Sequence, residues 1–240
     1  MTMPGTDQTN HEEQYRILLE EILNFVHRPG DLISESQLCQ RFGLSRTPAR
    51  SILQRLQENG LVQIEPKKGT TVTRLNLDIV NQLIYERIAV ETMVLRDFVR
   101  TRTPADVEKI RYYYVQMQEA GKNYHADPEH FDARAFNRAD MAMHSAWFRQ
   151  MNMDYVWQRL SSPQSSYTRF CMLDILAGDN VPDVLAEHAE MLSLIEDQRE
   201  EAIEPLLRRH LYGGVRRLKG MLFTRFGDYL EPIEGEGGIG

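Results

Sequence analysis

The stretch from Ser34 to Thr73 restricts the fold of this chain more than any other. Its centre reads as a helix that Ser45 can cap, with Pro48 in the first turn, where a missing N–H is harmless. Ala49, Ile52, Leu53 and Leu56 recur at helical spacing and form one apolar face, while Arg46, Thr47, Arg50 and Gln54 occupy the other. A shorter helix, Glu35 to Phe42, precedes it with Leu38, Cys39 and Phe42 facing inward, and Gly43 stands where a left-handed stop is needed. After Asn59-Gly60 the pattern changes to alternation, with Val62 and Ile64, the turn Pro66-Lys67-Lys68-Gly69, and Val72. An isolated hairpin is marginal in water, so this one must lean on the helices as a wing. The sequence therefore predicts a winged helix-turn-helix, a geometry suited to reading the DNA major groove.

Charge points the same way. From Arg41 to Arg74 there are seven basic residues (Arg41, Arg46, Arg50, Arg55, Lys67, Lys68 and Arg74) against Glu58 and Glu65, in a chain of net charge −7. A basic module in an acidic chain suits phosphate contact. The residues that carry a family likeness are Ser45-Arg46-Thr47-Pro48-Ala49-Arg50, Glu58-Asn59-Gly60-Leu61-Val62 and the basic tip Pro66-Lys67-Lys68-Gly69. On these motifs the segment resembles the N-terminal domain of the GntR family of bacterial transcription regulators. Ser51-Ile52 replaces the usual Glu-Ala, a departure that leaves the DNA-facing side unchanged. The resemblance implies that Arg46, Thr47 and Arg50 meet the major groove, that Arg41 and Arg55 hold phosphates, and that Lys67, Lys68 and Gly69 place the wing.

The 240 residues, 42% apolar and 26% charged, suit one large or two modest domains. There is neither an apolar run of about 18 residues nor a basic-then-apolar leader, so a cytoplasmic protein without a membrane span is expected. Cys39 and Cys171 lie in apolar-patterned helices and read as small hydrophobes. Residues 1–10 read as a disordered tail. A helix from His11 to His27 opens the winged domain (11–75), with Glu12, Glu13, Glu20 and Glu21 on an acidic face expected to point away from DNA. From Asp78 the pattern is helical, with candidate helices at about 78–102, 104–122, 129–151, 153–162, 164–177, 182–198 and 200–228. Pro104, Pro128, Pro163 and Pro182 fall near their starts, and the tail from Glu231 is Gly- and Glu-rich. The fold class is mainly α: a winged helix-turn-helix followed by an antiparallel all-helical bundle over 78–230. Residues 76–240 carry 26 acidic and 19 basic side chains, so this half is not the DNA reader.

Within the bundle, Asp140 and His144 are four apart and share a helix face, and His188 and His210 fall in register with apolar neighbours on two later helices. Three imidazoles and one carboxylate suit Zn²⁺, Ni²⁺ or a similar ion, and a bundle interior can hold such a site. Each histidine taken alone is more often a core or surface residue. Asp140-Met-Ala-Met-His144, Asn152, Glu187-His188 and His210-Leu211 together resemble the ligand-binding domain of the FadR-type subfamily, called FCD, with Met143 in place of the usual phenylalanine. That resemblance implies a metal site formed by Asp140, His144, His188 and His210, and an effector, often a small carboxylate, at an open coordination position. Arg87, which forms an R-x-x-x-E pattern with Glu91, and Arg169 are candidate countercharges for it. Tyr112, Tyr113, Tyr114, Trp147 and Trp157 read as core. The expected protein is a homodimeric, ligand-responsive transcription regulator, a repressor, bound to a double-stranded operator. Two other readings stay open at this point. One is a metal-dependent enzyme using the Asp/His₃ set, with Glu187 as a possible base; the other is a regulator whose metal is structural.

Overall fold

The computed structural model describes residues 6–161, 166–177 and 180–232. Residues 1–5 of the expected tail, Pro163 and residues 233–240 lie outside them. In chain order the elements are α1 (Thr6–Leu23), β1 (Leu32–Ile33), α2 (Glu35–Phe42), α3 (Arg46–Glu58), β2 (Val62–Glu65), β3 (Gly69–Val72), α4 (Leu77–Thr101), α5 (Pro104–Gly121), α6 (Asn123–Ala126), α7 (Ala133–Gln150), α8 (Asp154–Leu160), α9 (Ser166–Ala177), α10 (Val181–Asp197), α11 (Ile203–Leu211) and α12 (Gly213–Thr224). The residues fall into two compact units. One holds the described residues through Leu77 with 166–169 and those from Leu222; the other holds the remainder.

The winged unit is built as its sequence periodicity dictates. Leu18, Ile22, Leu56 and Leu61 are completely buried and pack with Leu38, Ala49, Ile52, Leu53, Val62 and Val72. Each large aliphatic side chain withdrawn from water in this way contributes about 1.5–3 kcal/mol. Ser34 caps α2 by accepting from the Gln37 N–H, and Gly43 adopts φ 65°, the left-handed conformation that favours glycine. Ser45 occupies the N-cap position of α3 but makes no side-chain cap hydrogen bond there. The hairpin pairs Val62 with Val72 and Ile64 with Thr70. A third strand that the periodicity did not signal, β1, pairs with β3, giving the order β1-β3-β2. Two residues are too few to show alternation, so only the pairing defines it. The first helix starts at Thr6 rather than His11. Its acidic face is also not wholly turned away from the basic helices: Glu21 pairs with Arg41, and Glu12 with Arg55.

The helical unit follows the expected order with three local differences. Pro128 opens a short 3-10 turn (Pro128–His130), and α7 begins later, at Ala133, where the Asp132 carboxylate accepts from the N–H groups of Arg134 and Ala135. Asn152 stops α7 at φ 58°, a left-handed conformation that asparagine tolerates. The single helix expected over 200–228 is instead a 3-10 turn (Glu200–Ala202), then α11, then α12 after a break at Tyr212. Gly213 and Gly214, poor helix formers, stand just past that break, and at Gly214 a Cβ would come within 2.9 Å of the Phe170 ring and 3.2 Å of the Asp174 carboxylate. The core of this unit gathers Phe98, Val99, Ile110, Met143, Trp147, Phe148, Ile195 and Leu207. Among the expected core aromatics Trp147 is fully buried, Tyr113, Tyr114 and Trp157 pack against the core, and Tyr112 is exposed. Cys39 and Cys171 are free thiols, each partly buried. No helix among the described residues is long and apolar enough to cross a membrane.

Candidate metal centre and nucleic-acid interface

On α3, burial of Ala49, Ile52, Leu53 and Leu56 turns Arg46 and Arg50 outward, with side chains 84% and 63% exposed. Arg50 Nε donates to Glu35 Oε2 at 2.8 Å, while Arg46 Nε lies 4.0 Å from Glu35 Oε1. Exposed pairs of this kind contribute about 0–1 kcal/mol, so both arginines can exchange Glu35 for another acceptor. A cleft lined by Arg50, Gln54, Lys67 and Lys68 runs between α3 and the hairpin tip. The tip is a tight turn in which the Lys68 N–H donates to Glu65 O, and Lys67 sits at φ 69°. A side-chain-bearing residue costs about 1–2 kcal/mol in that conformation. Arg41 and Arg55 are placed differently. Arg41 makes two hydrogen bonds to Glu21, at 2.8 and 2.5 Å. Arg55 makes two to Glu12, at 2.5 and 3.1 Å, with its guanidinium 3.7 Å from the centre of the Tyr15 ring. Each spends two of its five N–H donors on its glutamate, so a phosphate would compete with that pair.

In the helical unit, α7 carries Asp140 and His144, α10 carries His188 and α11 carries His210; one ligand atom from each lies within 4.8 Å of all the others. The rings have no freedom to turn away, because each Nδ1 faces an acceptor. His144 Nδ1 is 2.6 Å from Glu91 Oε2, His188 Nδ1 is 2.8 Å from the Val184 carbonyl, and His210 Nδ1 is 2.9 Å from Glu187 Oε2. A carbonyl only accepts, so His188 must donate from Nδ1 and present a bare Nε2 when neutral. That Nε2 stands 3.2 Å from His144 Nε2 and 3.1 Å from Asp140 Oδ1. Bare lone pairs this close repel, so a proton or a metal ion must lie between them. Ligand atoms about 2.1 Å from a tetrahedral ion stand about 3.4 Å apart, so these separations fit a metal, and nitrogen with carboxylate donors suits Zn²⁺ or Ni²⁺.

Two groups stand behind the ligands in parts the sequence did not assign them: Glu91, read only as the partner of Arg87, and Glu187 as a partner of His210. Glu91 is fully buried on α4 and accepts from Arg87 Nε at 2.5 Å as well as from His144. A readable signal existed, since Arg87 and Glu91 alternate with Ile84, Ile88 and Leu95 on one buried face, and buried charges need partners. Arg87 is itself buried, 5.6 Å from the centre of the Trp157 ring. An anion approaching it must share it with Glu91. Arg169 belongs to the winged unit, not to the unit that gathers the imidazoles. It is 2% exposed and donates to Thr73 Oγ1 and O, at 2.9 and 2.5 Å. Glu187, the candidate base of an enzymatic reading, stands behind His210 as the acceptor of its Nδ1.

The electrostatics of the cluster set a pH dependence. Burial pushes the His188 imidazole down to about 3, against the opposing pull of Asp140. Burial raises the Glu91 carboxyl, yet Arg87 and His144 outweigh that and hold it at about 2; burial likewise raises Asp140, and the three imidazoles bring it below its ordinary value. Between about 3 and 6.5 the unfolded chain binds a proton at His188 that the folded chain refuses, so stability rises with pH across that window. The two carboxylates contribute stability that is present above their unfolded values and lost as pH falls through the folded ones. The chelator-treated protein is therefore expected to lose melting temperature continuously on acidification from about pH 6.5. A melting temperature that stayed flat from neutral pH down to about pH 4 would contradict this.

Two family models match this chain. Residues 10–72 match the model described as bacterial regulatory proteins, gntR family, and residues 82–213 match the FCD domain. The HTH-type transcriptional repressor RspR of Escherichia coli strain K12 is 23% identical over 210 residues, covering 88% of this chain and 89% of that one. The galactonate operon transcriptional repressor of the same strain is 26% identical over 222 residues, covering 83% and 93%. Among solved structures, a transcriptional regulator GntR from Rhodococcus sp. RHA1 superposes with a TM-score of 0.66 at 22% identity, covering 88% of this chain and 98% of that one. At that identity the superposition establishes the fold. The matched domains and these relatives are transcription regulators, not enzymes.

Proposed function

The chain belongs to the gntR family of bacterial regulatory proteins and carries an FCD domain, and from that premise we propose a homodimeric repressor whose helical unit senses a small carboxylate through a metal held by Asp140, His144, His188 and His210. The observation that carries this reading is the convergence of three imidazole Nε2 atoms and a carboxylate oxygen, with every Nδ1 taken by an acceptor. Four protein ligands close a tetrahedral shell, so an anionic oxygen enters as a fifth ligand, an expansion that such ions accept. The name of the galactonate operon repressor supports a carboxylate as the effector class. The partly exposed Asp140 gives the cluster a side that such a ligand can approach. In a dimer, two winged units read half-sites about one helical turn apart. A ligand that favours one spacing of the pair changes operator affinity by its differential affinity for the two states.

On the DNA side, Arg46, Thr47 and Arg50 meet the major groove, Lys67, Lys68 and Gly69 place the wing, and Arg41 and Arg55 hold phosphates in competition with their glutamates. The test is binding of the purified protein to its own upstream DNA across salt concentration, with and without a chelator. Steep salt dependence and a chelator effect on affinity are expected; no preference over random DNA would sink the proposal. Replacing Arg50 with alanine removes an exposed side chain whose only described partner is Glu35, so folding should be preserved. Operator preference should fall by about 1–3 kcal/mol, the value of one arginine–guanine contact. Unchanged discrimination between operator and scrambled DNA would remove Arg50 from the reading set.

A further inference from the structure

Each imidazole of the cluster must present Nε2 inward, but the three are held there by different means. His188 is fixed by the Val184 carbonyl, which has no other way to bond. His210 is held by Glu187, whose side chain remains 12% exposed. His144 is held by Glu91, which has no solvent access and whose other oxygen is taken by Arg87. We propose that Glu91 is a positioning residue: clamped by Arg87, it fixes the His144 ring in the Nδ1–H form, so that its Nε2 lone pair is committed to the metal. This rests on reading the cluster as a metal site and adds to it the group that sets the ligating form of one histidine. Outer carboxylates of this kind change metal affinity by about 10–100-fold.

The clamp makes a specific substitution informative. Arginine is a donor only, so in Glu91→Gln the amide oxygen must turn toward Arg87 and the amide NH₂ toward His144. An NH₂ facing Nδ1 donates to it, which drives the neutral imidazole into the Nε2–H form. The proton then sits on the atom that should bind metal. Glu91→Asp retains two acceptor oxygens and should retain the wild-type form.

The experiment pairs two readouts on the full chain: long-range ¹H–¹⁵N NMR of the imidazoles in chelator-treated protein, and Zn²⁺ affinity by competition with a chromogenic chelator. The expected result is His144 as Nδ1–H in the wild type and in Glu91→Asp, and as Nε2–H in Glu91→Gln. Zn²⁺ binding should weaken by about 10–100-fold in Glu91→Gln alone, with His188 unchanged in all three. A merely space-filling role would move neither the ring form nor the difference between Asp and Gln. Wild-type His144 found as Nε2–H, or wild-type Zn²⁺ affinity in Glu91→Gln, would overturn the proposal, and the first of these needs no variant to fold. Failure of the wild-type protein to take up Zn²⁺ would instead overturn the metal reading on which the proposal rests.

Discussion

Replacing Leu56 with alanine should unfold the winged unit well below the temperature at which the helical unit melts. Leu56 is 0% exposed and packs in a cluster that belongs wholly to the winged unit, whereas Phe98, Trp147 and Leu207 belong to a separate core. Leu→Ala at such a site removes the transfer free energy of the side chain and leaves a cavity, together about 2–5 kcal/mol. For a unit of this size each kcal/mol moves the midpoint by about 4–8 °C, so the displacement should exceed about 10 °C. Calorimetry would resolve the effect as a lower first transition with the second unchanged, and operator binding would disappear at the first. A single transition that moved as a whole would show that the two cores do not melt independently.

Replacing His188 with alanine should abolish high-affinity metal binding. The side chain is completely buried, supplies one of four convergent ligand atoms, and its Nε2 lies 3.2 Å from that of His144 and 3.1 Å from Asp140 Oδ1. Removing a ligand should weaken binding by more than the 10–100-fold expected of an outer partner. The metal-free variant should lose less stability than the metal-free wild type between neutral and mildly acidic pH, because the group whose protonation burial resists is gone. Metal analysis after dialysis, together with melting curves at neutral and mildly acidic pH, would test both halves. Zn²⁺ retained at full stoichiometry and unaltered affinity would exclude His188 from the ligand set.

Much of this was legible in the residues because the causes are local. The left-handed stop at Gly43, the apolar face of α3 and the basic turn before Gly69 all act within a few residues and formed where the spacing placed them, whereas the cap expected at Ser45 did not form. The same holds for Asp140 and His144, one helical turn apart. What the spacing missed depends on partners distant in sequence. Strand β1 exists only through its pairing with β3. Arg41 and Arg55 read as free cations until α1 brings Glu21 and Glu12 beside them.

By itself the sequence determined the fold class, the family and the chemical inventory: a winged basic module, an acidic helical unit, and three imidazoles with a carboxylate on helical faces. Tertiary structure decided which nitrogen His144 and His210 offer, whereas His188 is set within its own helix. That choice is made by whichever acceptor stands behind Nδ1, and the acceptors arrive from 53 residues away for His144, 23 for His210 and four for His188. It also decided that Arg169 is tied to Thr73 in the winged unit. Periodicity reports which face of a helix is buried; what that face meets is set by packing between elements that the chain's order does not encode.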